Sequence, residues 1–130
     1  MTSFHAYLSN RISTPEEKVV TTVAWNRVNN LIACGQTNGI ITIASINYNL
    51  DHPGLSKIDI NLTLVEHKHP ITALSWNERF NKLTSGDSSG LLIVWLEHNS
   101  KWRPTMVNED HNSPIVSLCC SNNSELISII

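Results

Sequence analysis

Six histidines and three cysteines are the side chains in this sequence that could ligate a metal or act as nucleophiles. Metal sites are recognised by ligand spacing, such as Cys-x-x-Cys or a pair of histidines four apart. Neither spacing occurs, and the one close pair, His67 and His69, falls in a turn between apolar runs. His67 is therefore read as structural and His69 as solvated, with no metal and no cofactor expected. Cys119 and Cys120 are adjacent. A catalytic thiol needs a neighbouring base and an electropositive, partly exposed setting. On a strand, one of two neighbours must turn inward, so packing is the plainer role for such a pair. The glycine-bounded segments 35–39 (GQTNG) and 86–90 (GDSSG) lack the Lys-Ser/Thr and following helix of a phosphate cradle. No catalytic residue emerges, and a Cys-dependent enzyme stands only as the rival reading.

Composition narrows the remaining classes. Nine basic against eleven acidic residues and a net charge of −2 exclude a polybasic nucleic-acid arm, and 41% apolar content exceeds what a disordered segment carries. The N-terminus lacks an apolar signal core, and the longest apolar run, Leu91 to Leu96, is far below the ~18 residues of a membrane span. An odd cysteine count with an adjacent pair suggests a reducing, cytosolic setting. Fifteen asparagines point to many tight turns.

The elements that position these residues come from an internal repeat. Shifting the chain by 51 lays Val20–Ile46 on Ile71–Glu97, with Trp25 on Trp76, Asn26 on Asn77, Asn30 on Asn81, Gly35 on Gly86 and Gly39 on Gly90. Only six of these 27 positions are identical, but the apolar positions also coincide. A further shift of 44 lays Ile115–Ile130 on the start of the second unit, with Cys120 where the other units have Trp. Each unit reads as three short strands separated by Asn-rich and Gly-bounded turns. A fourth strand fits at Ile58–Val65 and at Trp102–Asn108, with an inserted loop at Asn47–Lys57. Four strands in ~40–50 residues is the period of a β-propeller blade. The expected fold is all-β: a closing strand at 4–12, blade 1 at 20–65, blade 2 at 71–108 and the start of blade 3 at 115–130. That is about two and a half blades. A seven-bladed ring would need ~280–315 residues, so the chain reads as the N-terminal portion of a larger propeller.

These residues resemble the WD40 family, in which a His-containing turn precedes the first strand and the third strand ends in a Trp-Asp-like pair. Here Glu66-His67 and Asp110-His111 stand for the His turns and Trp95-Leu96 for Trp-Asp. The family's hydrogen-bonded network, carried over by position, implies a structural set of His67, Ser85, Ser89 and Trp95, with Ser89 where an acid is expected. Further stretches are similar to the large WD-repeat subunits of intraflagellar transport complex A: Tyr7–Ile12, Val23–Asn26, Leu31–Gly35, Ser75–Glu78, Lys82–Thr84 and Gly90–Trp95. WD-repeat tubby-like proteins share part of the second unit. That resemblance implies a non-enzymatic scaffold in retrograde ciliary transport and cilium assembly, with other complex A subunits as partners and ciliary membrane proteins as cargo. It also implies placement in the cytoplasm, basal body, axoneme and cilium.

Three expectations concern aromatic residues. Trp25 and Trp76 are placed in the inter-blade core by their equivalent positions. Trp102 and Arg103 form a possible interaction surface, with Trp102 alternatively capping its own blade's outer strand. The strand Phe4–Ile12 is expected to close the ring.

Overall fold

A computed structural model describes residues 18–52, 57–121, 123 and 126–130 of the 130. The strands are β1 (Val20–Asn26), β2 (Leu31–Gln36), β3 (Ile41–Asn47), β4 (Lys57–Leu64), β5 (Ile71–Asn77), β6 (Lys82–Asp87), β7 (Leu92–His98), β8 (Lys101–Asn108), β9 (Ser117–Cys120) and β10 (Leu126–Ile129). They form two antiparallel four-stranded sheets, ordered β1-β2-β3-β4 and β5-β6-β7-β8, and a β9–β10 hairpin. The closing strand expected at Phe4–Ile12 lies outside the described residues.

The 51-residue repeat is written into the geometry. Register shifts occur at Val20/Thr22 and Ile71/Ala73, and again at Ile43/Ala44 and Val94/Trp95. Each pair of bulges sits at equivalent positions, so both sheets bend alike. The asparagines build the first turn of each sheet. Asn26 Oδ1 accepts from the Asn29 amide at 3.0 Å and Asn77 Oδ1 from the Phe80 amide at 3.3 Å. Asn30 (φ 53°) and Asn81 (φ 48°) take the left-handed conformation that Asn tolerates. The sheets differ at their last connection. Asn99 and Ser100 both have positive φ, a two-residue hairpin of the twist-matched kind, whereas β3 and β4 are joined by the longer insertion.

Burial explains why the strands read as they do. β3 is covered on both faces, burying Thr42 along with Ile41, Ile43, Ala44 and Ile46, while the outermost strands β4 and β8 are largely exposed. Ala33, Ile41, Ile43, Leu64, Ile71, Trp76, Leu83, Ile93 and Trp95 form one core running through both sheets. Each large aliphatic member contributes roughly 1.5–3 kcal/mol by leaving water.

The sheets meet through their first strands, which lie side by side in the order β1, β5, β9. Thr21 Oγ1 reaches the carbonyls of Gly35 and Ile71, and Thr72 Oγ1 those of Gly86 and Ile115. The glycines divide this labour in a way that turn chemistry alone does not anticipate. Only the second of each pair, Gly39 (φ +82°) and Gly90 (φ +95°), turns the chain. Gly35 and Gly86 lie within β2 and β6. A Cβ there would stand 2.5 Å from Cγ2 of Ile71 or of Ile115. Their role is to let the next sheet approach, a correction to the expectation that both glycines bracket a hairpin.

Candidate functional site

The side chains with the most organised chemistry lie inside the second sheet. His67, in the turn before β5, points inward between β6 and β7. Its Nδ1 lies 2.8 Å from Asp87 Oδ2 and its Nε2 2.7 Å from Ser85 Oγ. Trp95 Nε1 donates to the same Ser85 Oγ at 2.8 Å. Burial pulls His67 below its ordinary value, outweighing the hydrogen bond and charge of Asp87 and the charge of Glu66. The ring is therefore neutral: Nδ1–H donates to the carboxylate, and Nε2 accepts the Ser85 hydroxyl proton.

The carboxylate of this network is Asp87, not residue 89. Asp87 Oδ1 accepts from the Ser89 amide at 2.8 Å, the Ser89 hydroxyl at 2.6 Å and the Leu91 amide at 3.2 Å. Burial pushes the Asp87 carboxyl up, but the hydrogen bonds from Ser89 and His67 together outweigh it and hold it low. Ser89 therefore acts through Asp87 and does not touch His67. The physical reason is reach: the acid sits on the last residue of β6, level with the His turn, while Ser89 stands in the turn beyond it. A signal was available, since Asp87 is the only acid between Glu78 and Glu97.

Ser85, His67 and Asp87 have the connectivity of a hydrolytic triad. Their surroundings rule out that use in this fold. His67 and Asp87 side chains are 0% exposed, Ser85 is fully buried, and the Trp95 indole N–H already occupies the serine oxygen. A nucleophile must be reached by substrate. What the network can do is fix two turns. Through His67 it anchors the turn into β5, and through Asp87 it anchors the β6–β7 turn.

Those two turns form the accessible part of the site. A cleft of about 490 Å³ opens between them, lined by Glu66, Lys68, His69, Ser89, Leu91 and Glu109. Gly39 packs beneath this edge, with its Cβ position 2.5 Å from the His67 carbonyl. The result is a rigid, mixed-charge rim backed by a buried polar brace.

The other predicted residues separate. Trp76 is buried and donates from Nε1 to the Ala24 carbonyl of β1 at 3.0 Å, bridging the sheets. Trp25 is 50% exposed. Its repeat position aims it at the strand before its own, and among the described residues no strand precedes β1. Trp102 and Arg103 do not form one surface, because neighbours on a strand face opposite ways. Trp102 turns in against Trp76, edge to face at 5.6 Å, while Arg103 is exposed. Cys120 Sγ sits 4.0 Å from the Ser75 carbonyl, the counterpart in the next seam of the contact between Trp76 and the Ala24 carbonyl, and Cys119 faces solvent. Burial raises the Cys34 thiol. No group of three or more His, Cys, Asp or Glu could hold a metal among the described residues.

Comparison with known proteins agrees with this architecture. The family described as WDR35/TULP4 N-terminal matches residues 4–130. Human WD repeat-containing protein 35 is 31% identical over 130 aligned positions, covering 95% of this chain and 11% of the relative. Human Tubby-related protein 4 is 24% identical over 78 positions, covering 60% of this chain and 5% of the relative. The chain thus spans about a tenth of the length of WD repeat-containing protein 35, and the match covers about a twentieth of Tubby-related protein 4. A solved chain of the Mitotic Checkpoint Complex superposes with a TM-score of 0.67 at 22% identity, covering 88% of this chain and 32% of that one. The Cps50 (Swd1) β-propeller domain of Myceliophteria thermophila gives 0.58 at 22%, covering 76% and 28%. The sheets are blades of a partial WD40 β-propeller, and the chain belongs to the WDR35/TULP4 N-terminal β-propeller family.

Proposed function

We propose that this chain is part of a non-enzymatic protein-interaction scaffold that serves intraflagellar transport complex A in retrograde ciliary transport and cilium assembly. Its partners are other complex A subunits, with ciliary membrane proteins as cargo, and it works in the cytoplasm, basal body, axoneme and cilium. The observation that carries this reading is the 31% identity to human WD repeat-containing protein 35 along 95% of the chain. The braced rim of blade 2 supports it physically, because loops held by a rigid scaffold suit recognition and the Ser85-His67-Asp87 constellation is sealed from substrate. No cofactor is called for. A tubby-like adaptor is the second reading, favoured by the family's inclusion of TULP4 but supported by a shorter and weaker similarity. A Cys-dependent enzyme is the third: it needs Cys119 or Cys120 to label rapidly in the folded state, and slow labelling of both removes it.

The test is affinity purification of the protein from ciliated cells, followed by mass spectrometry. Recovery of complex A subunits is expected, and their loss on Glu66→Lys/Glu109→Lys would place the contact at the blade 2 rim. Recovery of none of them would overturn the complex A assignment.

A further inference from the structure

At the end of the blades opposite the His turns, the β1–β2 and β5–β6 turns are tied together. The Arg27 amide donates to Glu78 Oε1 at 2.8 Å, and its guanidinium lies 3.8 Å from the same oxygen. Asn26 and Asn29 both donate to Asn81 Oδ1, at 3.1 and 3.2 Å. The joined turns carry two outward apolar side chains, Val28 (68% exposed) and Phe80 (44% exposed). Around the Phe80 ring stand two cations, the Arg79 guanidinium 5.3 Å and the Lys82 ammonium 5.8 Å from its centre. Neither makes an ion pair among the described residues. Two acids stand on the same frame and both are engaged: Glu78 with Arg27, and Glu97 Oε2 accepting from Asn81 Nδ2 at 3.2 Å.

We infer that these two tied turns form a docking surface for an acidic segment of a partner protein that also presents an apolar side chain. The reasoning is charge complementarity on a fixed frame. An exposed phenyl ring costs free energy in water, and two cations beside it that make no ion pair among the described residues are matched by carboxylates placed on either side of a buried apolar anchor. The cross-turn hydrogen bonds hold Val28 and Phe80 at a set spacing, so little ordering cost is left for binding. A basic partner is disfavoured by Arg79 and Lys82, the cations of this surface that no carboxylate pairs among the described residues. This inference rests on the scaffold reading only in taking the partner to be a protein, and it concerns a surface separate from the blade 2 rim.

The test uses fluorescence anisotropy with labelled peptides of equal length: one alternating Glu with Leu and Phe, one alternating Lys with Leu and Phe, and one of Glu, Ser and Gly only. The Glu-Leu-Phe peptide should bind best, and more weakly as salt rises. Phe80→Ser and the pair Arg79→Glu/Lys82→Glu should each weaken it by at least about tenfold, as truncation of an interface anchor does. Phe80→Trp should retain binding, which guards against loss through misfolding, and circular dichroism should be unchanged in all variants. Equal binding of the Lys-containing peptide, or indifference to these substitutions, would overturn the inference. So would Phe80-dependent binding to phosphatidylserine vesicles, or Phe80-dependent self-association in sedimentation, without peptide binding. Each of these outcomes is independent of whether complex A subunits co-purify.

Discussion

Blades 1 and 2 share strand order, bulges and turn asparagines, yet they stabilise their interiors differently. Where blade 2 has Ser85, Asp87 and Trp95, the equivalent residues of blade 1 are Cys34, Gln36 and Ala44. Gln36 Nε2 donates to Thr42 Oγ1 at 2.9 Å, the one side-chain hydrogen bond at these positions among the described residues. Gln36 Oε1 is buried without a partner among the described residues. The fold therefore does not require the four-residue network in every blade. It requires the inter-blade contacts, which both blades keep: threonine to the next blade's carbonyl, and glycine under the next blade's isoleucine. The polar network is an addition that stiffens one rim.

The largest test of this contrast is to remove the centre of the network. Asp87→Ala strands the His67 N–H and the amides of Ser89 and Leu91 in a buried site, and should cost about 3–5 kcal/mol in urea unfolding, as loss of one buried ionic partner does. Gln36→Leu at the equivalent position loses one hydrogen bond but also removes an unsatisfied carbonyl, so the change should stay within about 1 kcal/mol. Equal costs at the two positions would break the distinction between the blades.

Where the blades agree, substitutions should agree too. Gly35→Ala and Gly86→Ala each drive a methyl into a neighbouring isoleucine, and each should cost about 1–3 kcal/mol by overpacking. A large cost at one and none at the other would mean that the two seams are not equivalent.

How much of this was readable from residues alone follows from what repeats. Strand order and blade spacing were legible because Trp25/Trp76, Asn30/Asn81 and the glycines recur at one offset, and offset survives when identity does not. The acid of the network was misplaced because position in a family pattern says nothing of reach. Asp87 closes on His67 from the end of β6, a distance visible only once the two turns are folded together. Trp25 marks a different limit: equivalence in sequence fixes which way a side chain faces, but not what stands beside it. Phe80 and its two cations went unread, since they match no repeat partner and no motif.

Acid and alkali should probe the two blades separately. The His67 ring is held below its ordinary value of about 6.5, so as pH falls through that region the unfolded chain takes up a proton before the native one does, and stability drops. Asp87 acts in the same direction below about pH 4, where the unfolded carboxyl protonates first. Blade 1 responds at the other extreme. The Cys34 thiol is raised, so above about pH 8.5 the unfolded thiol ionises first and stability again falls. In unfolding followed across pH, Asp87→Asn should flatten the fall below about pH 4 relative to the parent while leaving the His67 part near pH 6.5 in place or deepening it, since Asp87 raises the ring's value, and Cys34→Ala should flatten the alkaline limb. A fall below about pH 4 unchanged by Asp87→Asn would mean that Asp87 does not govern it.

The smallest expected difference is between the two equivalent tryptophans, and it isolates the seam from the blade. Trp76→Phe keeps most of the ring packing against Trp102 but loses the indole hydrogen bond to the Ala24 carbonyl, worth about 1 kcal/mol. Trp25→Phe removes an N–H that meets no described carbonyl, at a half-exposed position, and should change stability by under about 0.5 kcal/mol. Fluorescence sharpens the comparison, since Trp25 should be quenched readily by acrylamide and Trp76 should not. If Trp25→Phe proved as costly as Trp76→Phe, and Trp25 resisted quenching, a further strand would have to cover β1 as β1 covers β5. The seam seen between blades 1 and 2, and again between β5 and β9, would then be present on the other side of blade 1 as well.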